Sequence, residues 1–153
     1  MLKKIFLLII GSSLLLQCGF SPLYSTKDND IGFFSINSLK LSGDKNINNY
    51  IKINLSKFQN RTEEKKFDIE GEIFFYKDIL SNDKSANVTD YKLSTITVFK
   101  VYLNNTLKKE IKISEDKIME NMDDELEEEK YEKTVKKIFA SSISSKLITE
   151  LSL

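Results

Sequence analysis

The sequence predicts an α+β fold, a two-layer sandwich in the order β-α-β-β-β-α with two helices packed on one face of a four-stranded mixed sheet. Three observations carry this. Lys66 to Lys77 alternates clearly, with Phe67, Ile69, Gly71, Ile73 and Phe75 on one face and Asp68, Glu70 and Glu72 on the other. Tyr91 to Leu103 alternates over an even longer run, and Asn104-Asn105 is a two-residue turn signal before the pattern resumes. Two further segments repeat apolar residues at helical spacing, one on each side of these strands. A helix stripe and a sheet face must each be covered, and stacking them satisfies both.

In chain order, Phe33 to Leu41 is rich in Phe, Ile and Leu and reads as the first strand, broken by Ser42-Gly43-Asp44. Asp44 or Asn46 can cap a helix reaching about Gln59, whose stripe is Ile47, Tyr50, Ile51, Leu55 and Phe58. The second strand is the alternating run from Lys66, and Leu80 to Asp90 reads as a loop. The third strand presents Tyr91, Leu93, Thr95, Thr97, Phe99, Val101 and Leu103 on one side. The fourth continues that face with Leu107, Ile111 and Ile113 and turns Lys108, Glu110 and Lys112 to solvent.

Residues 115–132 form a charge run, including Asp123-Asp124-Glu125 and Glu127-Glu128-Glu129; a site for a cation or a basic partner is one reading, and a helix start is the plainer one, because carboxylates favour the positive end of the helix dipole. The closing helix carries Leu126, Tyr131, Val135, Ile138, Phe139, Ile143, Leu147 and Leu151, with Lys136, Lys137 and Lys146 expected toward its favourable later turns.

At 153 residues, 41% hydrophobic and 30% charged, the chain has the balance of one globular domain. Twenty-three basic and twenty-three acidic residues cancel, so no nucleic-acid partner is implied. Histidine is absent, which removes the usual general base, the Ser-His-Asp and Cys-His pairs and most zinc sites. The single cysteine excludes an intramolecular disulfide. Arg61 is the only arginine, and the heavy use of Lys, Asn and Ile is what an AT-rich genome produces, so a lysine cluster weighs less here than it would elsewhere.

The N-terminus reads as an export signal. Lys3 and Lys4 precede an apolar core from Ile5 to Leu16, twelve residues long. A membrane-spanning helix needs about 20. The core ends at Leu16-Gln17-Cys18, and a cysteine there resembles a bacterial lipoprotein cleavage site, although Gln17 is bulkier than the small residue usual at that position. An uncleaved anchor followed by an incidental cysteine is the competing reading. The expected organisation is a signal peptide over 1–17, a lipidated tether over 18–30 and a folded domain over 31–153. Processing at Cys18 removes Lys3 and Lys4, so 21 basic and 23 acidic residues remain, a net of −2.

Cys18-Gly19-Phe20-Ser21-Pro22-Leu23-Tyr24 resembles the mature N-terminus of the LPS-assembly lipoprotein LptE family in its alphaproteobacterial form, Cys-Gly-Phe-x-Pro-Leu-Tyr. The family usually carries a basic residue where this chain has Ser21. The resemblance implies an α+β domain of the kind read above, a lipid on Cys18, and a place on the periplasmic side of the outer membrane. Gly19 is compatible with that location, since an aspartate after the cysteine would favour the inner membrane. The implied partner is an LptD-type β-barrel, which the domain would plug during lipopolysaccharide assembly. Phe20, Leu23 and Tyr24 could dock apolar surface, with Pro22 keeping the backbone extended, and a disordered linker between lipid and domain is the alternative.

If lipopolysaccharide binds directly, cations must face its phosphates, and Lys84, Lys108 and Lys109 are the candidates. Surface lysines without a lipid role are the plainer reading of all three. Asp68, Glu70 and Glu72 could hold a hard cation or act as an acid/base pair, but a solvated sheet face is by far the plainer reading. Asn60-Arg61-Thr62 matches a glycosylation sequon that a lipoprotein-like signal makes irrelevant. No phosphate loop, nucleotide fingerprint or metal-ligand spacing occurs, and the expectation is a protein without enzymatic activity, cofactor or metal. The alternative from another class is a free-standing periplasmic lipoprotein that binds a small ligand or another envelope protein.

Overall fold

The computed structural model describes residues 34–59 and 61–153; the expected signal peptide, the tether and Cys18 lie outside the described residues. Strand β1 (Phe34–Gly43) stops where Gly43 adopts φ +96° against the second strand. A Cβ there would lie 1.9 Å from the Ile73 carbonyl oxygen, so both the backbone angle and the close approach require glycine. The next residue starts the helix. Asp44 donates its N–H to the Ile73 carbonyl (3.1 Å), and its Oδ1 accepts the Ile47 N–H (2.9 Å), a side-chain N-cap.

Helix α1 (Lys45–Gln59) buries Ile47, Ile51, Leu55 and Phe58 as the spacing predicts, together with Asn48. Its far end closes over the start of β1, where the Phe58 and Phe34 rings stack at 5.0 Å. The chain thus returns to its starting end, and β2 (Lys65–Asn82) pairs parallel with β1 from Phe34↔Lys65 to Gly43↔Ile73.

Strands β3 (Val88–Leu103) and β4 (Thr106–Glu120) follow as antiparallel neighbours, giving one sheet in the order β1-β2-β3-β4. Asn104 and Asn105 turn the β3–β4 hairpin with φ +52° and +60°, as a primed turn demands. The expected loop from Leu80 to Asp90 contracts to five residues, because Ile79 to Asn82 and Val88 to Asp90 extend the ladder.

The fourth strand is also longer than its apolar pattern indicates. Residues 115–120, read from sequence as part of a charge run before the last helix, pair with β3 from Thr95↔Glu115 to Asp90↔Glu120. Glu115 and Lys117 look toward α2, while Asp116 and Glu120 lie on the uncovered face and are exposed, a division that a strand-by-strand reading cannot detect. Leu107 departs from expectation for a related reason. The register slips between Val101 and Tyr102, so Leu107 pairs with Tyr102 and is half exposed, while Lys109 takes the place beside Val101 on the helix side.

Helix α2 (Glu125–Ser152) is capped by Asp124, whose carboxylate accepts the N–H groups of Leu126 (2.8 Å) and Glu127 (3.4 Å). Val135, Phe139, Ile143, Leu147 and Leu151 are buried, but Leu126 and Ile138 from the expected stripe are exposed at 56% and 48%. The lysines also depart from expectation. The last turn of α2 holds no basic residue, Lys136 is buried in the first half, and Lys146 turns aside to Glu115.

The two helices lie side by side on one face of the sheet, linked where Asn54 Nδ2 donates to Ser144 Oγ (3.3 Å). Ile69, Ile73, Leu93, Phe99 and Val101 supply the sheet side of the core. Gly71 is part of that packing, since a Cβ there would meet Leu41 and Phe99 at 2.7 Å each. The opposite face of the sheet has no covering layer among the described residues.

Candidate functional site

The uncovered sheet face is built by pairing register. Ser38, Lys40 and Ser42 on β1 lie opposite Asp68, Glu70 and Glu72 on β2, and the last two lie opposite Lys100 and Val98 on β3. Strand alternation put the three carboxylates on one face, as the sequence indicates, and the register supplies what it could not: their partners. Lys40 Nζ donates to Glu70 Oε1 (3.4 Å), the Tyr102 hydroxyl donates to Glu70 Oε2 (3.4 Å), and Asn37 Nδ2 donates to Asp68 Oδ1 (2.7 Å). Asn37 reaches Asp68 because a bulge between Ile36 and Ser38 re-aims it. Among the described residues, no group of three or more His, Cys, Asp or Glu is placed to hold a metal ion.

Two shallow depressions share this charged row. One of about 390 Å³ lies between Lys40, Ser42, Glu70, Glu72 and Lys100. The other, of about 460 Å³, is bounded by Ser38, Asp68, Tyr102 and Asn105. Both expose charges of both signs, an arrangement suited to polar contact.

Further along the same face the character changes. Phe74, Tyr76, Leu80 and Ile118 are 40–57% exposed, with Phe74 directly opposite Ile96. This strip lies beyond Gly43↔Ile73, the last β1–β2 pair, so β2 has no described strand on its outer side there. Ile79, 59% exposed, faces the other way beyond the core. The three long strands therefore end in an arm with apolar residues on both faces.

The five-residue tip of that arm is tightly organised. Asp83 Oδ1 accepts the N–H groups of Ser85 (2.8 Å) and Asn87 (2.9 Å), and Oδ2 accepts Asn87 Nδ2 (3.0 Å). These bonds, the Asn87 side-chain bond foremost, hold the exposed Asp83 carboxyl below its ordinary value. Lys84 projects from this tip. Lys108 and Lys109 sit near the opposite end of the sheet, roughly 45 Å away at about 3.3 Å per residue. Lys109 is ion-paired with Glu150 of α2, and Lys108 is exposed. The three lysines thus do not converge on one ligand headgroup.

The most ordered charge cluster is one the sequence reading missed. Lys136 Nζ lies 3.0 Å from both Asp44 Oδ2 and Glu132 Oε1, and 4.1 Å from the centre of the Phe75 ring. Next to it, Lys77 pairs with Glu128 and Glu132 and sits 4.5 Å over the Tyr91 ring. Burial is the largest single influence on Lys136 and disfavours its charge, yet the hydrogen bonds and charges of Asp44 and Glu132 together outweigh it and hold the ammonium above its ordinary value. Lys77 is raised by the same balance, with Glu128 as its main partner. The available signal was that Lys136 follows Val135 within the buried stripe, three residues before Phe139.

A second polar row pins α2 to β4. Glu115 Oε1 accepts from Ser142 Oγ (2.6 Å) and Lys146 Nζ (2.7 Å), and Lys117 lies 6.0 Å from the Tyr131 ring. Burial alone would raise the Glu115 carboxyl, but the bonds from Lys146 and Ser142 leave it lowered.

No protein-family model and no curated relative matches the sequence. Solved structures do match. The rare lipoprotein B of Shewanella oneidensis is similar over 76% of this chain and 95% of its own, with a TM-score of 0.59 at 17% identity. A minor lipoprotein of Acinetobacter baumannii matches over 77% and 94% respectively, with a TM-score of 0.56 at 16% identity. The uncharacterised lipoprotein B of Nitrosomonas europaea matches over 80% and 84%, with a TM-score of 0.57, also at 16% identity. At these identities the likeness is one of fold, and it spans nearly the whole of the first two neighbours.

Proposed function

We propose that the chain is an outer-membrane lipoprotein that acts as the plug and assembly partner of an LptD-type β-barrel in lipopolysaccharide export. The observation that carries this reading is a domain with the fold of several lipoproteins, placed behind a Cys18-Gly19-Phe20-Ser21-Pro22-Leu23-Tyr24 segment at the end of an export signal. On this reading Cys18 carries acyl chains that hold the domain to the inner leaflet of the outer membrane. The domain works stoichiometrically, without turnover or cofactor. Its mixed-charge sheet face suits the polar lumen wall of a large barrel, and the apolar strip around Phe74 and Tyr76 adds area that a partner can cover. Of the three candidate lysines, Lys84 at the tip of the arm and Lys108 are exposed and outside the ion pairs described, and on this reading they meet lipopolysaccharide phosphates, whereas Lys109 is paired with Glu150.

The test is co-purification in mild detergent with the LptD-type barrel from the same source. A stable one-to-one complex that shields this chain from protease is the expected result. A folded, lipidated protein that forms no such complex would overturn the plug reading in favour of a free-standing periplasmic lipoprotein that binds a small ligand or another envelope protein.

A further inference from the structure

Strand β4 closes one side of the sheet, and among the described residues no strand lies beyond it. Along its 15 residues every second N–H and C=O pair therefore points to an open edge. Charges on an edge strand ordinarily guard it against pairing with strangers. Those of β4 are arranged about its middle. On the uncovered face Lys112 precedes Ser114 by two residues and Asp116 follows it by two. Six residues out on either side stand Lys108, at the register slip, and Glu120. All four charges are exposed, and among the described residues none is in an ion pair. Glu110 interrupts the basic half and lies directly opposite Lys100 of β3.

We infer that two copies of this chain pair edge to edge, β4 against β4 and antiparallel, about a two-fold axis at Ser114. In that register Lys112 falls opposite Asp116 of the other copy and Lys108 near its Glu120, and symmetry makes each pair twice. Moving the axis by one residue destroys the match. Centred on Ile113, Glu110 meets Asp116; centred on Glu115, it meets Glu120. Centred on Ser114, it meets the uncharged Ile118. The strand thus repels its neighbouring registers and accepts one. A copy of this chain suits the edge better than an unrelated strand, because the charge complement of β4 is β4 itself. Helix α2 supplies a second observation. Tyr131 and Ser142 turn to Lys117 and Glu115 of β4, and Ile138 lies on the same flank, seven residues after one and four before the other. Ile138 is nevertheless 48% exposed. Joining the two sheets brings the second α2 alongside this flank, where it covers Ile138. The inference concerns the chain on its own and does not rest on the barrel reading.

The experiment uses the lipidated full chain in mild detergent, with micelles in excess over protein, and follows mass by sedimentation across a concentration series. A concentration-dependent dimer is expected. Lys112→Glu sets like charges opposite each other twice and should weaken that dimer about tenfold or more. Adding Asp116→Lys to the same chain restores the pair with its signs exchanged and should recover the dimer. Cross-linking locates the axis. Directly opposed Cα atoms in an antiparallel pair are about 4.5 to 5.5 Å apart, a gap that a disulfide spans. Ser114→Cys should therefore link to its own copy under mild oxidation. Ile118→Cys, on the same face but about 26 Å from its copy in this register, should link no more than the chain with its native Cys18 alone. A chain that stays monomeric throughout the series would overturn the inference. So would a dimer indifferent to Lys112→Glu, a double change that fails to recover it, or equal linking at positions 114 and 118.

Discussion

Asp44 illustrates how much one residue can hold. Its Oδ1 caps α1 through the Ile47 N–H, and its Oδ2 accepts from Lys136 of α2. Asp44→Ala removes a cap, worth about 1 kcal/mol, and leaves a largely buried ammonium with Glu132 as its remaining carboxylate. A total loss of about 2–4 kcal/mol is expected in urea unfolding. Asp44→Asn keeps the cap acceptor and should lose less, which separates the two roles. The same cluster sets an alkaline limit. The folded pKa values of Lys136 and Lys77 lie above the ordinary 10.5, so the stability they contribute is complete below about pH 10.5 and is lost as pH rises through the raised values. Lys136→Met should flatten that part of a stability-against-pH curve. Gly43 is the other decisive single residue. Gly43→Ala forces a Cβ into the Ile73 carbonyl at φ +96°, and at least about 2 kcal/mol should be lost in a thermal melt. Its positive φ was not legible in the sequence, where the residue read only as a strand breaker.

The elements divide into those whose pattern is local and those whose pattern needs a neighbour. Helix α1 and the inner faces of β2 and β3 followed their apolar spacing, because each buries a stripe against the same core. Strand β4 did not. Its second half carries Glu115, Lys117 and Met119 toward α2, where Ser142, Lys146 and Tyr131 receive the charges, so a buried strand face reads as a polar run. The carboxylates of the 115–132 run therefore serve two elements. Only those from Asp124 onward belong to a helix start, and Asp124→Ala should cost about 1 kcal/mol by loss of the cap, measured by chemical denaturation. The β3–β4 turn offers the opposite change. Asn105 sits at φ +60°, and Asn105→Gly supplies the preferred Asn-Gly pair, so a gain of about 0.5 kcal/mol is expected.

Over the whole molecule, stability should be unevenly distributed. The central strands are packed under both helices, whereas the arm beyond Gly43↔Ile73 lacks a fourth strand and exposes Phe74, Tyr76, Ile79 and Leu80. Native-state hydrogen exchange is therefore expected to show the slowest amides around Phe99 and Val101 and faster opening at Ile79–Asn82 and Val88–Asp90. Equal protection along β2 and β3 would contradict this. The arm is also where a partner can gain the most, since covering it removes apolar surface from water.

By itself the sequence determined the element order, the sidedness of β2 and β3, the β3–β4 turn and the apolar seam of α1, because each depends on spacing within one segment. It also placed Asp68, Glu70 and Glu72 on one face for the same reason. Tertiary structure decided which charges are buried, paired or free. Lys136 and Lys137 are adjacent in sequence, yet one lies in the core between Asp44, Glu132 and Phe75 and the other lies on the exposed helical layer. Lys108 and Lys109 part in the same way, one exposed and the other paired with Glu150 across a register slip. A charge's cost and use depend on what faces it across the fold, and that information comes from residues about 30 to 90 positions away in the chain.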